Sequence, residues 1–185
     1  MLKVLYCLLF GCFLLVPGIN SAQTIIFELS SSIVSFHSAA PNELVSAASD
    51  KMMGILDNKN FFLFKVDILT FKGFNSPVQR EHFNENYMET SLYTHASYSG
   101  KIIEDVDLVK EGVYDVRAKG KLDIHGIKQE QIIKVHIVSK NGKLAIKSNF
   151  KILLADYNIK IPRIVSDKLS PVINVKVDCI MVLKK

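Results

Sequence analysis

The sequence predicts an all-β protein: a closed antiparallel sheet of about eight strands, with one short helix inserted near residues 77–86. Three observations carry this reading. Runs rich in β-branched and aromatic residues recur at short intervals, separated by Ser, Asn, Asp, Gly and Pro. One of them is strictly two-periodic: Tyr114, Val116, Ala118, Gly120, Leu122 and Ile124 fall on one face, and Asp115, Arg117, Lys119, Lys121 and Asp123 on the other. Only the stretch after Phe71 has the polarity and capping residues of a helix.

In chain order, Thr24–Leu29 and Ser32–Ser38 are strand candidates, with Ser30-Ser31 as a turn or bulge between them. Val34 and Phe36 share a face with Ser38. Pro41-Asn42 breaks the pattern before Leu44–Asp50, and Asp57-Asn58-Lys59 marks the next turn. Asn60–Leu69 follows as a strand pointing Phe62, Phe64, Val66 and Ile68 one way. Ser76 as N-cap, Pro77 at the first helical position and Gln79 three residues after the cap then start a helix. Gln79, Arg80, Glu81, Asn84, Glu85 and Asn86 are too polar for a helix buried on every side, so it lies over something through Val78, Phe83 and Tyr87.

Alternation resumes from Tyr93 to Ile103, with Ala96, Tyr98, Gly100 and Ile102 on one face. After Ile124, His125-Gly126 makes a corner, and Gln129, Gln131, Ile133, Val135 and Ile137 point inward on the next strand. Asn141-Gly142 is the strongest hairpin dipeptide of the chain, because both residues tolerate positive φ. Leu144, Ile146, Ser148, Phe150 and Ile152 return along its partner. Leu154–Pro171 carries two prolines and no sustained period, which reads as a long connection with room for a short helix. Val172–Leu183 closes the chain, with Ile173, Val175, Val177, Cys179, Met181 and Leu183 on one face.

The N-terminus reads as an address. Lys3, an apolar run from Val4 to Val16 and the small residues ending at Ala22 fit a secretory signal peptide over residues 1–22, leaving one domain over 23–185. The run is too short to span about 30 Å of hydrocarbon and is broken by Pro17. Leu9-Phe10-Gly11-Cys12 offers a competing reading, a lipoprotein box with Cys12 lipidated, against which stand the bulky Phe10 and the apolar residues that continue beyond it. Removal of the leader takes Cys7 and Cys12 with it. Cys179 is then left alone and no internal disulfide can form, so stability rests on burial. The net charge of +5 is spread along the chain without a basic run or an aromatic platform, which argues against nucleic acid. A basic exterior suits an anionic membrane surface, though solubility explains it equally well.

Catalytic signals are weak. No G-x-S-x-G elbow occurs, and Cys179 lies within an apolar alternating strand, as an inert thiol does. Glu81, His82 and Glu85 have the spacing to share a helix face as metal ligands, but no second His joins them, and a His82 hydrogen-bonded onto the barrel accounts for the same residues. No metal site is expected. His125 reads as a turn residue, and Asp156-Tyr157 as either a head-group contact or a loop anchor.

Asn75–Glu89 (NSPVQREHFNENYME), followed by Ala96-Ser97-Tyr98-Ser99-Gly100, by Gly120–Gly126 and by Asp156–Pro162, resembles the YceI-like family in its Bacteroidetes-type form. The similarity runs over essentially the whole chain after residue 23. Three residues depart from the pattern: Val78, Thr94 and Asn158 stand where Leu or Met, Pro and Gly are expected, the last two bearing on local turns. The resemblance implies a lipocalin-like barrel holding a polyprenyl or other long-chain amphiphile, with the helix as a lid in which His82, Phe83 and Tyr87 face the opening. It also implies that a homodimer is common.

A small barrel is either filled by its own side chains or holds one ligand. Ala96, Gly100, Ala118, Gly120 and Ser148 on inward faces leave room beside the aromatic residues. With the resemblance, this favours a ligand cavity walled by Phe36, Phe62, Phe64, Tyr98, Val116, Ala118, Leu122, Ile133, Ile146 and Phe150. The expectation is an exported, periplasmic or secreted, non-enzymatic protein that binds a polyprenyl, an isoprenoid quinone or a fatty-acid-like lipid, with no cofactor beyond that bound lipid. A lipid-modifying enzyme using His82, Tyr98 or Asp156, and a filled structural or stress-related barrel with a protein partner, are the alternatives.

Overall fold

The computed structural model describes residues 26–184. The signal peptide, the lipidation alternative at Cys12 and the start of the first strand at Thr24 lie outside the described residues. Among the described residues, nine strands form one antiparallel sheet that closes on itself: β1 (Ile26–Ala39), β2 (Leu44–Ser49), β3 (Met53–Asp57), β4 (Phe61–Asp67), β5 (His95–Ile102), β6 (Gly112–Ile124), β7 (Ile127–Lys140), β8 (Lys143–Leu153) and β9 (Val172–Leu183). β1 pairs with β9 along one side. Along its other side it pairs with β3 near its start and with β2 near its end. β2 and β3 therefore share one position, and the barrel has eight.

Sequence-predicted elements fall where their chemistry places them, with four differences. The two candidate strands at the start are one strand, bulged between Leu29 and Ser31, which lets it bend round the barrel while keeping its apolar face inward. The strand predicted over Asn60–Leu69 stops at Asp67, whose carboxylate caps a 3-10 turn over Ile68–Thr70 through the Leu69 N–H. β3 was not expected at all. Finally, Gly100 and Gly120 do not open space in the wall. They face each other across β5 and β6, and a Cβ on either would overlap the opposite backbone, at Lys119 O or Ser99 O.

Both tight hairpins are two-residue loops with positive φ at each central residue, 53° and 73° at His125-Gly126 and 51° and 68° at Asn141-Gly142, as type I′ turns require. α1 (Pro77–His82) starts at Ser76, whose hydroxyl accepts from the Gln79 N–H, and runs on into a π-helical turn over Phe83–Tyr87. Asn158 adopts φ 55°, a left-handed conformation that Asn reaches at little cost, so it can stand where Gly was expected.

The two ends of the barrel differ. At one, Phe27, Leu56, Leu108, Leu144 and Met181 are almost wholly buried and close the interior. The Ile103–Glu111 connection is tied across that end by Ser139 Oγ and Tyr114 Oη, which donate to Leu108 O and Lys110 O. Over the other end lie α1 with its π-helical turn and the long Leu154–Pro171 connection.

Candidate functional site

Between the plug and the two coverings the barrel encloses a cavity of about 520 Å³, within the roughly 300–1,000 Å³ typical of small-molecule sites. Its walls come from the second half of β1 and from positions on each of β2 to β9, Val45 on β2 and Leu56 on β3 among them. Phe36, Phe62, Phe64, Tyr98, Ala118, Leu122, Ile133, Ile146 and Phe150 all line it, and so do His82, Phe83 and Tyr87 from the covering segment. Val116 does not. It points inward as its alternation demands and is buried in the core, but its side chain does not border the void that its cross-strand partner Val135 lines.

Small residues on inward faces make the space. Ala96, Ala118 and Ser148 line the cavity, and Ser148 Oγ is spent on Lys134 O at 2.7 Å, so it presents no free donor to the interior. Tyr98 is likewise internally satisfied: its hydroxyl reaches Ala118 O at 2.7 Å and Gln131 O at 3.1 Å. Desolvation in the apolar wall pushes its phenol up to about 12. Cys179 lines the same wall as a buried free thiol, pushed up to about 12 by burial and then by Asp178, and is inert at neutral pH.

Aromatic packing covers the mouth on the helix side. Phe83 stacks on Phe36 of β1 with centroids 5.2 Å apart and 17° between planes, and Phe71 and Phe74 complete the cluster at 5.4 Å from Phe36 and 5.0 Å from Phe83. Polar contacts fix the helix above it. Gln79 Nε2 donates to Glu43 Oε1 at 2.6 Å, Asn75 Nδ2 to Leu44 O at 2.9 Å, and Arg80 Nη2 to Leu69 O at 3.2 Å. These residues dock the helix to the barrel, rather than His82, which stays exposed on the rim. Glu81 and Glu85 do not converge with it on a metal site, and no cluster of three His, Cys, Asp or Glu able to hold a metal exists among the described residues.

Several lining residues carried no signal in the sequence. Met52, Met88 and Leu169 reach the cavity from irregular segments, where no period says which way a side chain points. Ile173, Val175 and Val177 were on a predicted inward face, but so were plug residues of the same strand such as Met181.

His125 proved more than a turn residue. Its Nδ1 lies 3.1 Å from Tyr157 O, its Nε2 lies 2.6 Å from Glu89 Oε2, and Tyr93 meets its ring edge-on at 4.5 Å. One buried imidazole thus joins the β6–β7 hairpin, the end of the helical covering and the 3-10 turn at Leu154–Tyr157. Asp156-Tyr157 is a loop anchor: Tyr157 is fully buried outside the cavity lining, and Asp156 O accepts from Gln129 Nε2.

The fold and site define a small antiparallel barrel closed at one end, with an apolar internal chamber under a helical cover at the other. The family model of the YceI-like domain matches residues 26–181, and the chain belongs to this family. Solved structures share the fold. A polyisoprenoid binding domain from Saccharophagus degradans implicated in plant cell wall breakdown is 15% identical, with 85% of this chain and 98% of that chain covered and a TM-score of 0.70. BcnA of Burkholderia cenocepacia is 15% identical over 80% of this chain and 95% of its own, with a TM-score of 0.66. The YCEI protein of Campylobacter jejuni is 16% identical over 68% and 72%, with a TM-score of 0.51. Comparison with the curated proteins finds no match.

Proposed function

We propose that this protein is an exported, non-enzymatic carrier that holds one long-chain amphiphile, a polyprenyl, isoprenoid quinone or fatty-acid-like lipid, with its tail in the barrel. The observation that carries the reading is the cavity of about 520 Å³, apolar along its walls and bordered at its mouth by Glu43, Lys65, Gln79, His82 and Lys168. Such a chamber binds a hydrocarbon tail by removing it from water, at roughly 0.8 kcal/mol per buried CH₂, and leaves the head group among polar side chains. The structural neighbour described as a polyisoprenoid binding domain supports the same class of guest. The absence of a reaction is supported by the state of the wall's own groups, since the Tyr98 hydroxyl is engaged by two carbonyls and the Cys179 thiol is held neutral. Export to the periplasm or beyond is supported by the leader-like residues 1–22.

The test is native mass spectrometry and lipid extraction of protein purified from its own host. One amphiphile per barrel is expected. A protein that arrives empty and refuses offered prenols, quinones and fatty acids would refute the carrier, and chemical conversion of the guest on incubation would make it an enzyme.

A further inference from the structure

The outer face of β3, β4, β5 and β6 has a composition that the interior does not require. Outward-pointing Met53 and Ile55 on β3 and Phe61 and Leu63 on β4 are 60%, 45%, 50% and 45% exposed. The register places Ile55 beside Leu63, so the four form one patch rather than scattered apolar residues. Lysines continue the same face. Lys101 is paired with Phe61 and holds its ammonium 5.1 Å from the ring centroid; Lys119 lies beyond it, Lys121 lies beyond Ser99, and Lys65 follows Leu63 at the cavity mouth.

Each carboxylate around this face has another partner than the three lysines Lys65, Lys101 and Lys121, while Asp57 and Asp67 keep their charge at the ends of β3 and β4. Asp57 accepts the Lys59 and Phe61 N–H groups of its turn, Asp67 caps Leu69, and Glu28, Asp123 and Glu130 lie against Lys184, Lys128 and Lys119. Lys65, Lys101 and Lys121 make no ion pair among the described residues; Glu130, opposite Lys121 in the register, turns to Lys119. An apolar centre bordered by unneutralised lysines matches a surface that offers hydrocarbon and negative charge together, as an anionic bilayer does. A second copy of the chain fits worse, because in a two-fold contact each face meets an identical one with the same excess of lysines.

We propose that the outer face of β3–β6, centred on Phe61 and Leu63, docks the barrel on an anionic phospholipid bilayer, with Lys65 placing the cavity mouth at the edge of the contact. The proposal is independent of what the cavity holds. It predicts that the protein purified from its host floats with vesicles of equal phosphatidylglycerol and phosphatidylcholine but not with phosphatidylcholine alone, and that the bound fraction falls as salt rises. Phe61→Ser with Leu63→Ser, and separately Lys101→Glu with Lys121→Glu, should each weaken binding about tenfold. None of the four side chains lines the cavity, so lipid content serves as the control for folding, and the lysine pair, fully on the surface, keeps the test decisive if the apolar pair fails to fold. Failure to bind either vesicle, equal binding to both, or binding that neither variant weakens would overturn the proposal. A dimer that the apolar variant converts to monomer while vesicle binding persists would also overturn it, and would assign the face to a second copy.

Discussion

Substituting Ala118→Phe distinguishes a chamber from a filled core by the sign of its effect. Ala118 is 5% exposed and points from the middle of β6 into the cavity, between Ile102 on β5 and Ile133 on β7. If the space beyond it is void in the absence of a guest, a phenyl ring enters without displacing its neighbours. Burying a Phe side chain contributes about 1.5–3 kcal/mol relative to leaving it exposed, and after subtracting what Ala already buries and the fixed rotamer, about 1–2 kcal/mol remains. For a domain of this size, 1 kcal/mol moves Tm by about 2–4 °C, so calorimetry on lipid-stripped protein should show a rise of about 2–8 °C. The same substitution in a packed core would cost about 1–3 kcal/mol and lower Tm by a similar amount. Native mass spectrometry on the unstripped variant should show loss of the bound amphiphile, because the ring occupies the tail's path. A fall in Tm of the stripped protein would refute the reasoning, whatever the lipid content.

Four further outcomes follow from the geometry. Tyr98→Phe keeps the ring and removes the bonds to Ala118 O and Gln131 O; a loss of about 1–2 kcal/mol in urea denaturation is expected, and an unchanged midpoint would show that the hydroxyl contributes nothing. His125→Ala releases Glu89 and Tyr157 O and should cost about 2–3 kcal/mol, with faster hydrogen exchange at Met88–Tyr93 and Leu154–Tyr157 together; exchange confined to the hairpin would contradict its role as a joint. Gly100→Ala should cost at least about 2 kcal/mol by forcing β5 from β6, and a wild-type melt would disprove the close approach. On the alkaline side, Cys179 and Tyr98 both have folded pKa values raised, to about 12 from 9 and 10. Their stabilising contribution is complete below pH 9 and is lost as pH climbs through 12, so Tm should decline from about pH 9 upward, less steeply in Cys179→Ala.

What was legible in the sequence is what local chemistry alone decides. The inward face of β6 could be read from Tyr114 to Ile124 because each outward position is charged or polar, and the hairpins at His125-Gly126 and Asn141-Gly142 follow from residues that tolerate positive φ. Phe62, Phe64, Tyr98, Ala118, Leu122, Ile133, Ile146 and Phe150 line the cavity for this reason, whereas His82, Phe83 and Tyr87 lie on a helical turn that no strand alternation describes. Val116 falls outside because alternation fixes a side chain's direction but not whether its neighbours leave space in front of it. β3 was hidden for the opposite cause: outward Met53 and Ile55 are apolar, so the run has no alternation to read, and the residues that concealed the strand are those of the exposed patch. Gly100 and Gly120 mark backbone contact between β5 and β6 rather than empty space, which no pattern within one strand reveals. His125 joins segments far apart in sequence, and nothing near it names Glu89 or Tyr157 as its partners.

The division between plug and chamber explains how a barrel can tolerate an underfilled interior. Phe27, Leu56, Leu144 and Met181 have at most 2% exposure at the closed end, from which the long β1–β9, β6–β7 and β8–β9 ladders run the length of the barrel. Burial there stabilises the fold whether or not a guest is present. The open half gives up packing for capacity, and its two covers are held with different strength. The helix is fixed by the Phe36–Phe71–Phe74–Phe83 cluster and by side-chain bonds from Asn75, Gln79 and Arg80. The arm from Arg163 to Lys168 has no buried residue, and it is joined to the barrel rim by Asn42, which donates to the carbonyl and carboxylate of Asp167. Few buried contacts and exposed hydrogen bonds make a segment cheap to displace. A guest too long for the chamber would therefore widen it at the Arg163–Lys168 side, leaving the helix and the plug in place.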